Sequence, residues 1–153
     1  MDTLYYREAT EADLPFIDAL IAEDAVAAAR DPVTPGLADE QLEALRAISA
    51  DPAHTLYIVE REGQRVGSFQ LSFIPGVSRR GAWRGQIESV RVAEAARGGG
   101  IGEAMMRWAI AACEEKGCGI VQLTSDRQRP AAHRFYERLG FEPSHTGFKL
   151  KLK

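Results

Sequence analysis

Read from its N-terminus, the chain changes hydrophobic period several times, and each change marks a predicted element. Residues 3–8 (Thr-Leu-Tyr-Tyr-Arg-Glu) read as a first strand. Thr10, with Asp13 three positions on, supplies capping chemistry for a helix carrying Leu14, Ile17, Ile21 and Ala25 on one side. Pro15 is tolerated only near the start of that helix. Asp31-Pro32-Val33-Thr34-Pro35-Gly36 breaks the chain, and a second helix then turns Leu42, Leu45 and Ile48 inward before Asp51-Pro52 stops it.

Period two takes over from Thr55 to Glu60. Arg61-Glu62-Gly63-Gln64 forms a hairpin turn, and the return strand, Val66 to Phe73, alternates Phe69, Leu71 and Phe73 with Gln70 and Ser72. A polar loop, Ile74 to Gly85, leads into a central strand from Gln86 to Val92. Helical spacing returns in Ile101, Met105, Trp108, Ala109 and Ala112 and ends at Lys116-Gly117, a basic residue followed by glycine. Ile120 to Thr124 has the branched content of a buried strand, and Pro130 and Gly140 bracket a further helix. Phe148, Leu150 and Leu152 alternate with Lys149, Lys151 and Lys153, which predicts a last strand with one wet face. Strand, helix, helix, three strands, helix, strand, helix, strand is the order of a mixed α/β layer with helices on both faces of a sheet.

Composition narrows the class. At 153 residues, 45% apolar and 27% charged, the chain reads as one soluble domain spanning 1–153. No leader-like start and no membrane-length apolar run are visible, which points to the cytoplasm and away from a membrane. A net charge of −3 disfavours a dedicated nucleic-acid binder. Cys113 and Cys118 have no histidine at ligand spacing, so two reduced thiols, rather than a metal site or a disulfide, are expected.

The chemistry concentrates where the central strand meets Arg97-Gly98-Gly99-Gly100-Ile101-Gly102. Strand, glycine turn and helix start together leave peptide N–H groups free with no Cβ in the way, the arrangement that holds a phosphate. No Lys-Ser or Lys-Thr follows the glycines, and Gly-x-Gly-x-x-Gly fails at Glu103 or Met105, so neither a Walker loop nor a dinucleotide fingerprint is present.

Arg-x-x-Gly-x-Gly does fit, at Arg97, Gly100 and Gly102. With the preceding strand and the later run Ala132-His133-Arg134-Phe135-Tyr136-Glu137-Arg138-Leu139-Gly140-Phe141, it resembles the GCN5-related N-acetyltransferase (GNAT) family across essentially the whole chain. The resemblance implies a mostly antiparallel central sheet, acetyl-CoA as cosubstrate, no metal, and direct transfer of an acetyl group to the primary amine of a small molecule through a ternary complex. Modification of a protein N-terminus or lysine, or a non-catalytic acyl-CoA-binding module, are the alternatives. A homodimer is common among such proteins, though no residue here establishes it.

The resemblance also assigns roles. Arg97, Gly98, Gly99, Gly100, Ile101 and Gly102 would bind the pyrophosphate, and Val90 and Val92 would pair the pantetheine amides, the N–H near Val90 facing the acetyl carbonyl. Glu88, a carboxylate in an apolar strand, would be the general base, with a structural ion pair to Arg84 or Arg91 as the other reading. Tyr136 would protonate the leaving sulfur, its ordinary pKa of about 10 lying near the thiol's 8.5. Asp126, where an Asn is frequent, and His133 would flank the cofactor, and Arg127 and Arg129 would either meet its 3′-phosphate or face solvent. From its residues, the loop bearing Arg79, Arg80, Trp83 and Arg84 would either dock an acceptor with a carboxylate or be a solvated basic loop.

Overall fold

The computed structural model describes residues 3–30 and 39–153, so the expected break from Asp31 to Gly36 lies outside the described residues. The elements are β1 (Leu4–Glu8), α1 (Leu14–Glu23), α2 (Ala25–Arg30), α3 (Asp39–Ala50), β2 (His54–Arg61) and β3 (Gln64–Ile74). A single turn, α4 (Ser78–Gly81), precedes β4 (Arg84–Val92), α5 (Ile101–Lys116), β5 (Ile120–Gln122) and α6 (Pro130–Arg138). The strands form one sheet in chain order. Three antiparallel pairings join β1 to β4, and a parallel one joins β4 to β5 through α5.

Neighbouring residues on β2 face opposite layers, as the pleat requires. Ile58 meets Ala9, Leu14 and Leu45 under α1 and α3, whereas Val59 meets Phe69, Ile87, Met105 and Met106 under α5. α5 packs closely because Gly85 lies beneath it; a Cβ there would collide with the Cys113 sulfur. Tyr6 stacks on Trp108 with ring centres 4.3 Å apart, joining β1 to α5.

The first turn is organised by a buried carboxylate. Asp13 accepts from the Thr10 peptide N–H at 2.8 Å and from two Arg7 nitrogens at 2.7 and 2.9 Å, and Arg65 adds a contact at 3.3 Å. Thr10 and Asp13 therefore do cap this segment, through a short 3-10 turn ahead of α1.

Four expectations are corrected. The first helix is two, because Asp24 adopts extended backbone (φ −87, ψ 103) between α1 and α2. The loop from Ile74 to Gly85 contains α4, whose Arg79 and Arg80 are both left-handed (φ 55 and 60). The strand expected from Ile120 to Thr124 is half-buried and stops at Gln122, where pairing with β4 ends. Residues from Phe148 to Lys153 form no strand: Phe148, Leu150 and Leu152 are 93%, 86% and 88% exposed.

Candidate active site

The site is built on an irregularity in β4. Gln70 faces Glu88 and Ser68 faces Arg91, so Ser89 and Val90 together stand opposite the single residue Phe69. Ser89 takes φ 55, a conformation rare for a residue with a Cβ, and this β-bulge re-aims the strand. Val90 and Val92 then turn their side chains to the α5 core, while Ser89 and Arg91 line a cavity on the α1 side. That cavity, about 140 Å³, is walled by Ile17, Leu20 and Ile21 of α1, by Leu56, and by Ser68 and Gln70 of β3. A wider hollow of about 540 Å³ between Thr10 and α3 shares no residue with it.

Beside the bulge the sheet parts. Only Arg84, Gly85 and Gln86 pair with β5, and a side-chain bond from Gln122 to Gln86 at 2.7 Å closes the last pair. From Ile87 to Val92, β4 has no neighbour on that side among the described residues. An extended chain bearing amides can add to such an edge as a strand does.

The parted edge leads to the glycine turn. Gly98 and Gly100 take φ 88 and 74, and Gly100 is the N-cap of α5. The peptide N–H groups of Gly98 through Gly102 meet no acceptor among the described residues, whereas that of Arg97 bonds the Glu94 carbonyl at 3.3 Å. The donor row thus starts one residue later than the sequence suggests. The Arg97 side chain donates to the Val92 carbonyl at 3.3 Å and braces the strand end. A second cation, not anticipated, stands at the turn: the place a Cβ would take on Gly99 is 3.4 Å from Arg61 Nη1. Arg61 comes from the end of β2, so no local motif announces it.

Glu88 is exposed and has no hydrogen-bond or ion-pair partner among the described residues. It is therefore neither buried nor held by Arg84 or Arg91. Tyr136 on α6 is half-buried between Phe135 and Phe141, and burial raises its pKa, against a smaller lowering by Arg129. Its phenol keeps its proton at neutral pH and meets no acceptor among the described residues. Asp126 and His133 are both engaged within the turn: His133 Nε2 donates to the Asp126 carbonyl at 2.7 Å, and Asp126 Oδ1 accepts from the Gln128 N–H at 2.9 Å. Both shape the turn into α6.

Across this site runs an ionic tie. Asp24 Oδ2 accepts from Arg129 Nη2 at 3.0 Å and from Arg91 Nε at 3.4 Å. Burial opposes ionisation of Asp24, but the bonds from Arg129 and the Ala27 N–H prevail and hold its carboxyl below the usual range. Arg79, Arg80 and Arg84 lie elsewhere, exposed around α4 and at the opposite end of β4, and none lines the cavity.

Residues 20–141 match the model of the acetyltransferase (GNAT) family. The chain belongs to the GNAT acetyltransferase family. It is 30% identical over 102 residues to an aminoalkylphosphonate N-acetyltransferase of Salmonella typhimurium, an alignment spanning 67% of this chain and 66% of that protein. The chain thus spans slightly under two thirds of that relative's length. A crystal structure of a protein described as a transcriptional regulator, from Bacillus halodurans, superposes with TM-score 0.92 at 39% identity, covering 98% of this chain and 100% of that one. A Trypanosoma brucei acetyltransferase superposes with TM-score 0.76 at 28% identity over 98% and 100%. Among the described residues of this GNAT protein, no helix is long and apolar enough to cross a membrane.

Proposed function

We propose that this GNAT protein transfers the acetyl group of acetyl-CoA directly to the primary amine of a small molecule. The observation that carries the reading is the unspent row of N–H donors from Gly98 to Gly102 beside Arg61, at the end of the unpaired edge of β4. A diphosphate fits there because the dipole of α5 and the guanidinium supply positive charge where the backbone supplies donors. Acetyl-CoA contributes the activated thioester. Val90 and Val92 would offer strand-type pairing to pantetheine amides on the unpaired edge of β4, and the Val90 N–H, at the bulge, would be the donor to the oxyanion.

Glu88, exposed beside the bulge, takes the proton that the ammonium must lose, through a water. The amine nitrogen then attacks the thioester carbon, the carbon–sulfur bond breaks and Tyr136 gives its proton to the departing sulfur; the nitrogen sheds its second proton to water as the amide forms, and the phenolate takes one back from solvent. Asp126 and His133 hold the turn that leads into the helix bearing Tyr136. Cysteine relay is disfavoured: Cys113 is 1% exposed, and burial, with Cys118 adding to it, pushes its thiol up to about 12.

The acceptor cavity joins an apolar α1 wall to the neutral Ser68, Gln70 and Ser89 and to the cation Arg91. This supports a small amine carrying an anionic group that meets Arg91, in keeping with the phosphonate named for the Salmonella typhimurium relative. The name of the Bacillus halodurans protein favours a second reading, an acyl-CoA-binding regulator without turnover. Two measurements test both. Acetyl-CoA should raise Tm while NAD and ATP do not. Thiol release across an amine library should then show turnover; binding without release from any amine would leave the regulator reading.

A further inference from the structure

Cys113 and Cys118 take no part in acetyl transfer, yet the end of α5 brings them together. The helix closes on Gly117, left-handed at φ 89. The Gly117 N–H bonds the Glu114 carbonyl and the Cys118 N–H bonds the Cys113 carbonyl, each at 3.0 Å. This pair of bonds turns the chain back so that side chains five positions apart meet, a contact usually made by two hydrocarbon groups. Here both groups are thiols. They share a hydrogen bond, and both sulfurs lie within 4 Å of one point, the place a Cβ would take on Gly85. The missing side chain of Gly85 is what leaves them room.

The two thiols differ in access. Cys113 is 1% exposed, whereas Cys118 is only partly buried, and neither is in a disulfide. Among the described residues no third histidine, cysteine or carboxylate joins them in a group that could hold a metal ion. A reachable sulfur with a sheltered one behind it is the arrangement of an attacking thiol and a resolving thiol.

We propose that Cys113 and Cys118 form a reversible disulfide, with a low-molecular-weight disulfide as the oxidant. The Cys118 thiolate attacks one sulfur of the oxidant, the oxidant's S–S bond breaks, and one small thiolate leaves. The Cys113 sulfur, losing its proton to solvent, then attacks the Cys118 sulfur of the mixed disulfide, and the second small thiolate leaves. Two protein thiols are oxidised, one small disulfide is reduced to two thiols, and the two protons pass through solvent to those thiols. Burial first, and Cys118 second, push the Cys113 thiol up to about 12, so the second step is the slow one. The bond sits at the hinge of the slot. Gly119 donates to the Trp83 carbonyl at 2.9 Å, and Gly85 pairs with Val121 in the short seam between β4 and β5. Closing the loop from Cys113 to Cys118 fastens the end of α5 to the start of β5 and stiffens that seam. None of this depends on the acetyl-transfer reading.

Full-length protein held in glutathione buffers of rising oxidised share, then quenched with acid, is read by intact mass. A monomer that loses two hydrogens, keeps no thiol for alkylation and regains both with excess dithiothreitol is expected. An unchanged mass in the most oxidising buffer, or one glutathione added and retained, would overturn the proposal. Cys113→Ala should stop at the mixed disulfide on Cys118. Cys118→Ser, at the more exposed position, keeps the test independent of whether Cys113→Ala folds: its buried thiol should stay unmodified, and capture at the wild-type rate would overturn the assigned order. Amide exchange at Ile120–Gln122 should slow by roughly tenfold on oxidation and recover on reduction. Equal exchange in both forms would overturn the role given to the bond.

Discussion

Arg129 Nη2 donates to Asp24 Oδ2 at 3.0 Å, joining the break between α1 and α2 to the turn that follows β5. The same oxygen accepts from Arg91 on the bulged strand, so one carboxylate connects three walls of the candidate site. Asp24→Ala leaves two guanidinium groups facing each other without their shared acceptor. Urea unfolding should register a loss of about 2 kcal/mol.

Arg91 also tests the nature of the acceptor. With Arg91→Ala, KM for amines bearing a carboxylate or phosphonate should rise by roughly tenfold or more, while KM for neutral amines of similar size stays level. An equal rise for both kinds would show that Arg91 shapes the cavity without reading charge.

The anion cradle can be probed from both sides. Gly100→Ala meets no protein atom within 4 Å, so its cost to the free protein is the left-handed backbone at φ 74, on the order of 1 kcal/mol. Arg61→Ala should leave unfolding almost unchanged yet weaken acetyl-CoA binding, most at low salt. Calorimetric titration of both variants checks this.

Tyr136→Phe should lower kcat by roughly a hundredfold with little change in acetyl-CoA affinity. Because burial raises the Tyr136 pKa, the wild-type rate should not fall from loss of this proton until the pH is above the phenol's usual value near 10. Glu88→Gln should depress kcat by about a hundredfold or more, read from initial rates at saturating amine.

Acid stability follows from Asp13. Hydrogen bonds from Arg7 hold its carboxyl far below the usual range, although burial opposes this. The unfolded chain therefore takes up the proton first. The stabilisation is complete above the unfolded pKa of about 3.9 and is lost as pH falls below it. Asp13→Asn should flatten that acid loss and cost about 2 kcal/mol at neutral pH, since it removes the buried carboxylate that Arg7 and Arg65 share and leaves Arg7 only its pair with Glu60.

Local signals were legible in the sequence and distant ones were not. Ile101 to Ala112 and Lys116-Gly117 announce α5, because helix spacing and a left-handed cap at Gly117 are written in adjacent residues. The bulge also left a trace: Ile87, Val90 and Val92 face the core at spacings of three then two, one residue too many for a regular strand. Glu88 follows the core-facing Ile87, so strand alternation alone puts it on the other face, where an apolar strand suggested burial. Asp24 breaks a helix without proline or glycine, by binding arginines 67 and 105 positions away. Arg61 reaches Gly99 only after the hairpin and β4 have folded. The alternation from Phe148 to Lys153 suggested a strand and these residues form none, because a pattern of side chains does not supply a neighbour to pair with.

The joint between β4 and β5 has a kinetic consequence. Only three residue pairs join β5 to the sheet, whereas β2 pairs with β3 along its whole length. Breathing therefore concentrates at that seam, and amide protons of Ile120–Gln122 should exchange with solvent well before those of Ile58 and Leu71. A long, thin molecule lodged in the seam can leave by a small swing of β5 and α6, without any melting of the sheet that holds the rest together.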